Sequence, residues 1–197
     1  MNKGSTNLKT RAILAFRGRD AGRRARGLAQ ILQINYNSAM RGNPKVIGEL
    51  NAALKEELTA ISQYFLHAEM CENWKYSKLA DYIKKQSIDE MKHAEVLIER
   101  ILFLDGTPNL TELLHLKVGQ NVREQIDNDL KLELAAVEMY NNSIRIAREE
   151  GDNASRELFE KLLADEEMHV DWLEAQVHQM KEMGYERYLS QQIREEK

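Results

Sequence analysis

Apolar residues recur at intervals of three and four along four long stretches of the chain. Leu50, Leu54, Ile61, Tyr64 and Ala68 form the first stripe, and Leu79, Ile83, Leu97 and Ile101 the second. Ile126, Leu130, Val137, Tyr140 and Ile144 form the third, and Phe159, Leu162, Leu173, Val177 and Met180 the fourth. That spacing puts each set on one face of a helix turned toward a core. Local signals bound the helices. Asn43-Pro44 supplies a cap and a first-turn proline, so the first helix is expected from about Pro44 to Asn73. Trp74 to Ser77 reads as a short turn with Ser77 as cap. The second helix then runs to about Leu104, ended by Asp105-Gly106-Thr107-Pro108. Residues 107–120 lack a sustained stripe and read as a long crossover. The third helix is expected from about Asn121 to Glu150, before Gly151. Asp152 or Asn153 caps the fourth, which runs to Met183 before Gly184. Tyr185 to Arg194 is expected to form a short fifth helix. Two short turns around one long connection predict an all-α four-helix bundle with a long crossover and a short C-terminal helix.

Each stripe carries an anomaly. Glu57 and Glu133 interrupt the first and third seams. In the second and fourth, Glu90 with His93 and Glu166 with His169 sit where leucine is expected. Both pairs belong to the pattern D-E-x-x-H, whose Glu and His share one helix face. Such a pair alone is commonly a solvated surface. A carboxylate buried without a partner costs several kcal/mol, so in a core seam it must be paired, protonated or metal-bound.

The anomalies repeat with the chain. From 57 to 133, from 90 to 166 and from 93 to 169 the offset is 76 residues. The same offset pairs Tyr64 with Tyr140, Asp89 with Asp165 and Leu97 with Leu173. The chain therefore reads as a duplicated helical hairpin. Glu57 and Glu90 are 33 residues apart, as are Glu133 and Glu166. With arms of roughly 15 residues, both members of each hairpin return to one level, roughly 22 Å from the turn. All six residues can then meet at the bundle centre, as in the ferritin-like topology.

Four carboxylates and two neutral imidazoles carry a charge of −4, which two divalent cations cancel. Oxygen and nitrogen donors without thiolate suit iron or manganese, with zinc as competitor. Too few donors remain to saturate two metals, which leaves positions for O2, peroxide or water.

Charge divides the chain. Residues 1–39 carry eight Lys or Arg against Asp20 alone, +7, and the remainder carries −11, for a net charge of −4. An acidic body attracts cations. Residues 1–39 form a basic N-terminal extension ahead of a metal-binding domain over 40–197. Four readings of it are open: an over-extended start with translation beginning naturally at Met40, a flexible arm for nucleic acid, an Arg-rich presequence, or a solvated tail. Cys71 is the one cysteine, so there is neither a disulfide framework nor a Cys-x-x-Cys metal site. No apolar run approaches the length of a membrane span. A cytoplasmic location is expected. His67, His115 and His178 belong to no constellation and are assigned nothing.

From Met40 to Lys197 the sequence resembles bacterioferritin, the haem-containing branch of the ferritin family. The resemblance rests on Gln63-Tyr64-Phe65-Leu66-His67-Ala68, Ser87-Ile88-Asp89-Glu90-Met91-Lys92-His93-Ala94, Ile98-Glu99-Arg100-Ile101-Leu102-Phe103-Leu104 and Gln192-Ile193-Arg194-Glu195-Glu196. It implies iron storage: a ferroxidase oxidises Fe2+ with O2 or peroxide at a di-iron centre within each subunit, and ferric mineral collects inside a twenty-four-subunit homo-oligomeric shell. It implies that Glu57 and His93 are terminal ligands of one iron, Glu133 and His169 of the other, and Glu90 and Glu166 bridging carboxylates. Tyr64 matches a tyrosine thought to supply an electron; a hydrogen-bonded core tyrosine is the alternative. Met91 points about 100° away from the metal seam. Packing is the ordinary role of such a methionine, but the resemblance implies a ligand to a haem b shared between two subunits, which feeds electrons to the mineral from a ferredoxin-type reductant. Two rival functions are a soluble di-iron oxidase or peroxidase without storage, and a DNA-protecting relative tethered by residues 1–39.

Overall fold

A computed structural model describes residues 42–194. The basic extension over 1–39 lies outside the described residues. Five helices make up the described chain: α1 Pro44–Asn73, α2 Ser77–Phe103, α3 Val122–Glu149, α4 Asn153–Met183 and α5 Tyr185–Gln191. The fold is all-α, with no strand among the described residues. The expected helices and crossover are present, with two local differences. Ser77 is the first residue of α2 rather than its cap; Tyr76 holds the cap position and makes no side-chain capping bond. The last helix stops at Gln191, short of Arg194.

Each boundary has a local cause. The Asn43 side chain accepts from the Lys45 amide, and Pro44 opens α1. Asn121 accepts from the Glu124 amide at the start of α3. The link from α3 to α4 passes through Gly151 at φ 75°, a conformation that a side chain disfavours. Asp152 then caps α4: Oδ1 accepts from the Ser155 amide at 3.0 Å and Oδ2 from the Ser155 hydroxyl at 2.8 Å. Arg100 on α2 donates to the same carboxylate at 2.7 Å, which ties this turn to the opposite hairpin.

The crossover runs beside α1 and is held by that helix's polar side chains. Asn51, Thr59, Gln63 and His67 accept from the amides of Asn109, Leu114, Lys117 and Gly119. An extended segment has no internal partners for these groups, so the helix supplies them. Gly119 passes so close to α3 that a Cβ there would meet the Gln125 amide nitrogen at 2.3 Å. His67 is fully buried, accepts from Gly119 through Nε2 and faces Asp129 through Nδ1 at 3.0 Å. These bonds place the proton on Nδ1 and make His67 a satisfied core histidine.

Two hydrophobic clusters fill the bundle, one toward each end. One contains Leu50, Leu54, Leu97, Ile101 and Phe159, and the other Tyr64, Leu79, Ile83, Ile126, Leu173 and Tyr188. Between their levels the four long helices bring polar residues inward.

The Asp152 carboxyl is held below its usual range. Burial opposes this, but the Ser155 amide and hydroxyl and the Arg100 guanidinium outweigh it. A depressed carboxyl contributes stability above its unfolded value of about 4, and that contribution is lost as pH falls through the folded value. Asp152→Ala should therefore cost about 1 to 2 kcal/mol at neutral pH, as a lost cap does. The difference from wild type should shrink below about pH 4 in unfolding titrations; a constant difference down to pH 3 would contradict this role.

Candidate metal centre

Helix periodicity turns Glu57 from α1, Glu90 and His93 from α2, Glu133 from α3, and Glu166 and His169 from α4 into the gap between the two clusters. All six are buried, none more than 7 % exposed. Their side chains converge. His93 Nδ1 lies 2.9 Å from Glu90, 3.2 Å from Glu166 and 3.5 Å from Glu57. His169 Nδ1 lies 2.9 Å from Glu90, 3.2 Å from Glu166 and 3.9 Å from Glu133. The imidazoles face each other with ring centres 6.1 Å apart.

These separations include hydrogen-bond lengths, but the angles are not those of hydrogen bonds. Glu90 Oε1 and Oε2, Glu166 Oε1 and both Nδ1 atoms are buried without a hydrogen-bond partner. Orphaned donors and acceptors at this depth are costly. Atoms that approach one another without bonding instead surround a common point. Two such groups exist: Glu57, Glu90, His93 and Glu166, and Glu90, Glu133, Glu166 and His169, with the donor atoms of each within 4.8 Å of one another. Glu90 and Glu166 belong to both. This oxygen and nitrogen set fits two divalent ions that share two carboxylates.

The flanking tyrosines follow the duplication. The Tyr64 hydroxyl donates to Glu133 Oε1, and the Tyr140 hydroxyl donates to Glu57 Oε1. Each hairpin thus steadies the unpaired glutamate of the other. Tyr140 was legible as the repeat of Tyr64, but the sequence reading assigned it no role. Met91 stands apart from this group, 54 % exposed on the outer side of α2.

Burial pushes the Glu57 and Glu133 carboxyls well above their usual range. Burial lowers the His93 imidazole, but Glu166, Glu57 and Glu90 outweigh it and push it up to about 12. His169 is raised in the same way against burial by Glu133, Glu166 and Glu90. Glu166 would be raised by burial, but the adjacent His169, His93 and Glu133 side chains bring it down to about 2. Without cations, then, protons take their place and hold the charges together.

A duplicated helical hairpin with carboxylate and imidazole turned into its centre defines a ferritin-like protein. The Ferritin-like domain family matches residues 47–183. A bacterioferritin of Mycolicibacterium paratuberculosis is 45% identical over 152 residues, 77% of this chain and 96% of that one. One from Streptomyces coelicolor is 47% identical over 151 residues, 77% of this chain and 90% of that one. The solved structure of Mycobacterium tuberculosis bacterioferritin, BfrA, matches with TM-score 0.78 at 44% identity, covering 79% of this chain and 98% of that chain. The chain belongs to the ferritin family and, within it, to the bacterioferritins.

Metal ligands must shed protons, so cation binding here should release them. Raised Glu57, Glu133, His93 and His169 all act in one direction: affinity for Zn2+ should climb as pH rises from about 5 to 8. Calorimetry in buffers of different ionisation enthalpy reads the released protons. Proton-neutral Zn2+ binding would contradict the arrangement described.

Proposed function

We propose that the protein is a cytoplasmic iron-storage ferroxidase. The observation that carries this reading is the pair of overlapping donor groups sharing Glu90 and Glu166. Substrate Fe2+ binds there, two ions per chain, with Glu57 and His93 on one side and Glu133 and His169 on the other. The two ions give one electron each to the oxidant. With O2 and two protons the product is hydrogen peroxide; with peroxide and two protons it is two waters. The carboxylates balance the cations in a site that water barely enters, where their attraction is strongest. Tyr64 and Tyr140 hold Glu133 and Glu57 in place through hydroxyl bonds, and Tyr64 is also the candidate electron donor. The Fe3+ then passes to a mineral inside a homo-oligomeric shell of twenty-four subunits. Phe65, Ile88, Met91, Leu102 and Phe103 are apolar and exposed on the single chain, and assembly would cover such residues. Among the described residues no helix is long and apolar enough to cross a membrane.

The surface around Met91 supports a haem b shared between two subunits. Met91 offers an exposed thioether. Ser87 bonds to the Ile61 carbonyl and Lys84 lies over the Phe65 ring, so antiparallel register puts Leu58 and Ile61 near the level of Met91. A thioether among apolar residues fits a neutral haem ligand. Met91 from each of two subunits would hold the iron, and the haem would carry electrons from a ferredoxin-type reductant to the mineral.

One pair of variants tests both parts. Glu133→Ala should form shells yet lose fast Fe2+ oxidation, by more than the roughly 10- to 100-fold that losing a partner behind a ligand costs. Met91→Leu should form haem-free shells that oxidise Fe2+ normally and release iron slowly on reduction. Undiminished initial oxidation in Glu133→Ala would sink the ferroxidase reading, and a full low-spin haem spectrum in Met91→Leu would sink the haem assignment.

A further inference from the structure

The two halves of the centre repeat the same ligands, but their surroundings differ. His93 presents Nδ1 to the carboxylates of the site and Nε2 toward Asp165, whose Oδ2 lies 3.4 Å away, an ion-pair contact a small rotation short of a hydrogen bond. His169 presents Nδ1 in the same way. Among the described residues, however, no carboxylate beyond those of Glu90, Glu133 and Glu166 lies within 4.0 Å of its ring nitrogens. By the 76-residue repeat the residue equivalent to Asp165 is Asp89. Asp89 is engaged elsewhere: Lys92 pairs with its Oδ1 at 2.7 Å. The repeat places Met168 at the position of Lys92, and a thioether cannot compete for Asp165. Lys92 against Met168 is thus one difference between the hairpins that sets Asp89 apart from Asp165. Both rings line a cavity of about 340 Å³ between α2 and α4, together with Asp89, Lys92, Asp165 and Met168.

A metal-bound imidazole normally donates its second N–H to a carboxylate or carbonyl, which fixes the ring and raises its basicity as a ligand. We infer that Asp165 is a positioning residue for His93 and that the two halves bind divalent metal unequally, the Glu57–His93 half more tightly than the Glu133–His169 half. The inference rests on the metal-centre reading above and adds to it a difference that the ligand set alone does not contain. The duplicated hairpin has kept its ligands and lost its symmetry one step behind them.

Co2+ titration of the metal-free, full-length protein tests this, because visible ligand-field absorption reports each bound ion without turnover. Wild type should take up two Co2+ per chain, one before the other. Asp165→Ala should weaken the tighter step by roughly 10- to 100-fold, the usual effect of losing a carboxylate behind a histidine ligand. Asp165→Asn keeps an acceptor at the same place and should fall between the two, which separates positioning from a general loss of structure. Asp89→Ala should leave both steps within about 2-fold of wild type. Two Co2+ per chain with unchanged affinity in Asp165→Ala, or equal weakening in Asp89→Ala, would overturn the inference alone. Fewer than two Co2+ in wild type would overturn the metal-centre reading and the inference with it.

Discussion

Four carboxylates and two imidazoles are buried at the middle of a helical bundle, and the rest of the structure answers the cost of putting them there. In an apolar interior each of these groups is unfavourable when charged and alone. The bundle responds by facing them toward one another in two sets of four that share Glu90 and Glu166. Protons serve when no cation is bound, which is why Glu57 and Glu133 are raised by burial while the imidazoles are raised by the carboxylates. Two divalent cations do the same work with full charge cancellation. Replacing the six residues with well-packed apolar ones would be expected to stabilise the fold, so their presence is a statement about function rather than stability.

The scaffold supplies what such a site needs, which is fixed side-chain positions. Separate hydrophobic clusters toward either end hold the helices apart and in register. The crossover is fastened along α1 by Asn51, Thr59, Gln63 and His67. Gln63 and His67 also engage Asp129 of α3, one helical turn from Glu133. Tyr64 and Tyr140 then cross the bundle to the unpaired glutamates. A residue held by a contact of its own is a better ligand than one left free, and among the six candidates Glu57, Glu133 and His93 each have one.

Much of this was legible in the sequence because it is periodic. Asn43-Pro44, Gly151 and Gly184 mark helix ends by local chemistry, and Glu57, Glu90, His93, Glu133, Glu166 and His169 stand out against apolar seams and repeat after 76 residues. What periodicity cannot show is which side chains meet across the bundle. The bond from Tyr140 to Glu57, the Asp129 partnership of His67 and the contact of Asp165 with His93 join distant segments, and nothing in either segment alone announces them. Ser77 and the end of α5 were misplaced for the opposite reason. A serine before a helix is a good local cap, yet here the turn through Lys75, at φ 69°, delivers Tyr76 to that position. Met91 is a third case: its exposure agrees with its phase on α2, but phase alone does not tell haem from packing.

The central claim is that two metal ions bind between the four helices and share two carboxylates. Anomalous diffraction from crystals of the assembled protein exposed to Fe2+ without oxygen tests it most directly. Two peaks per chain are predicted, one bounded by Glu57, Glu90, His93 and Glu166 and the other by Glu90, Glu133, Glu166 and His169. A single peak, or iron bound only at the surface with the six side chains hydrogen-bonded to one another, would contradict it.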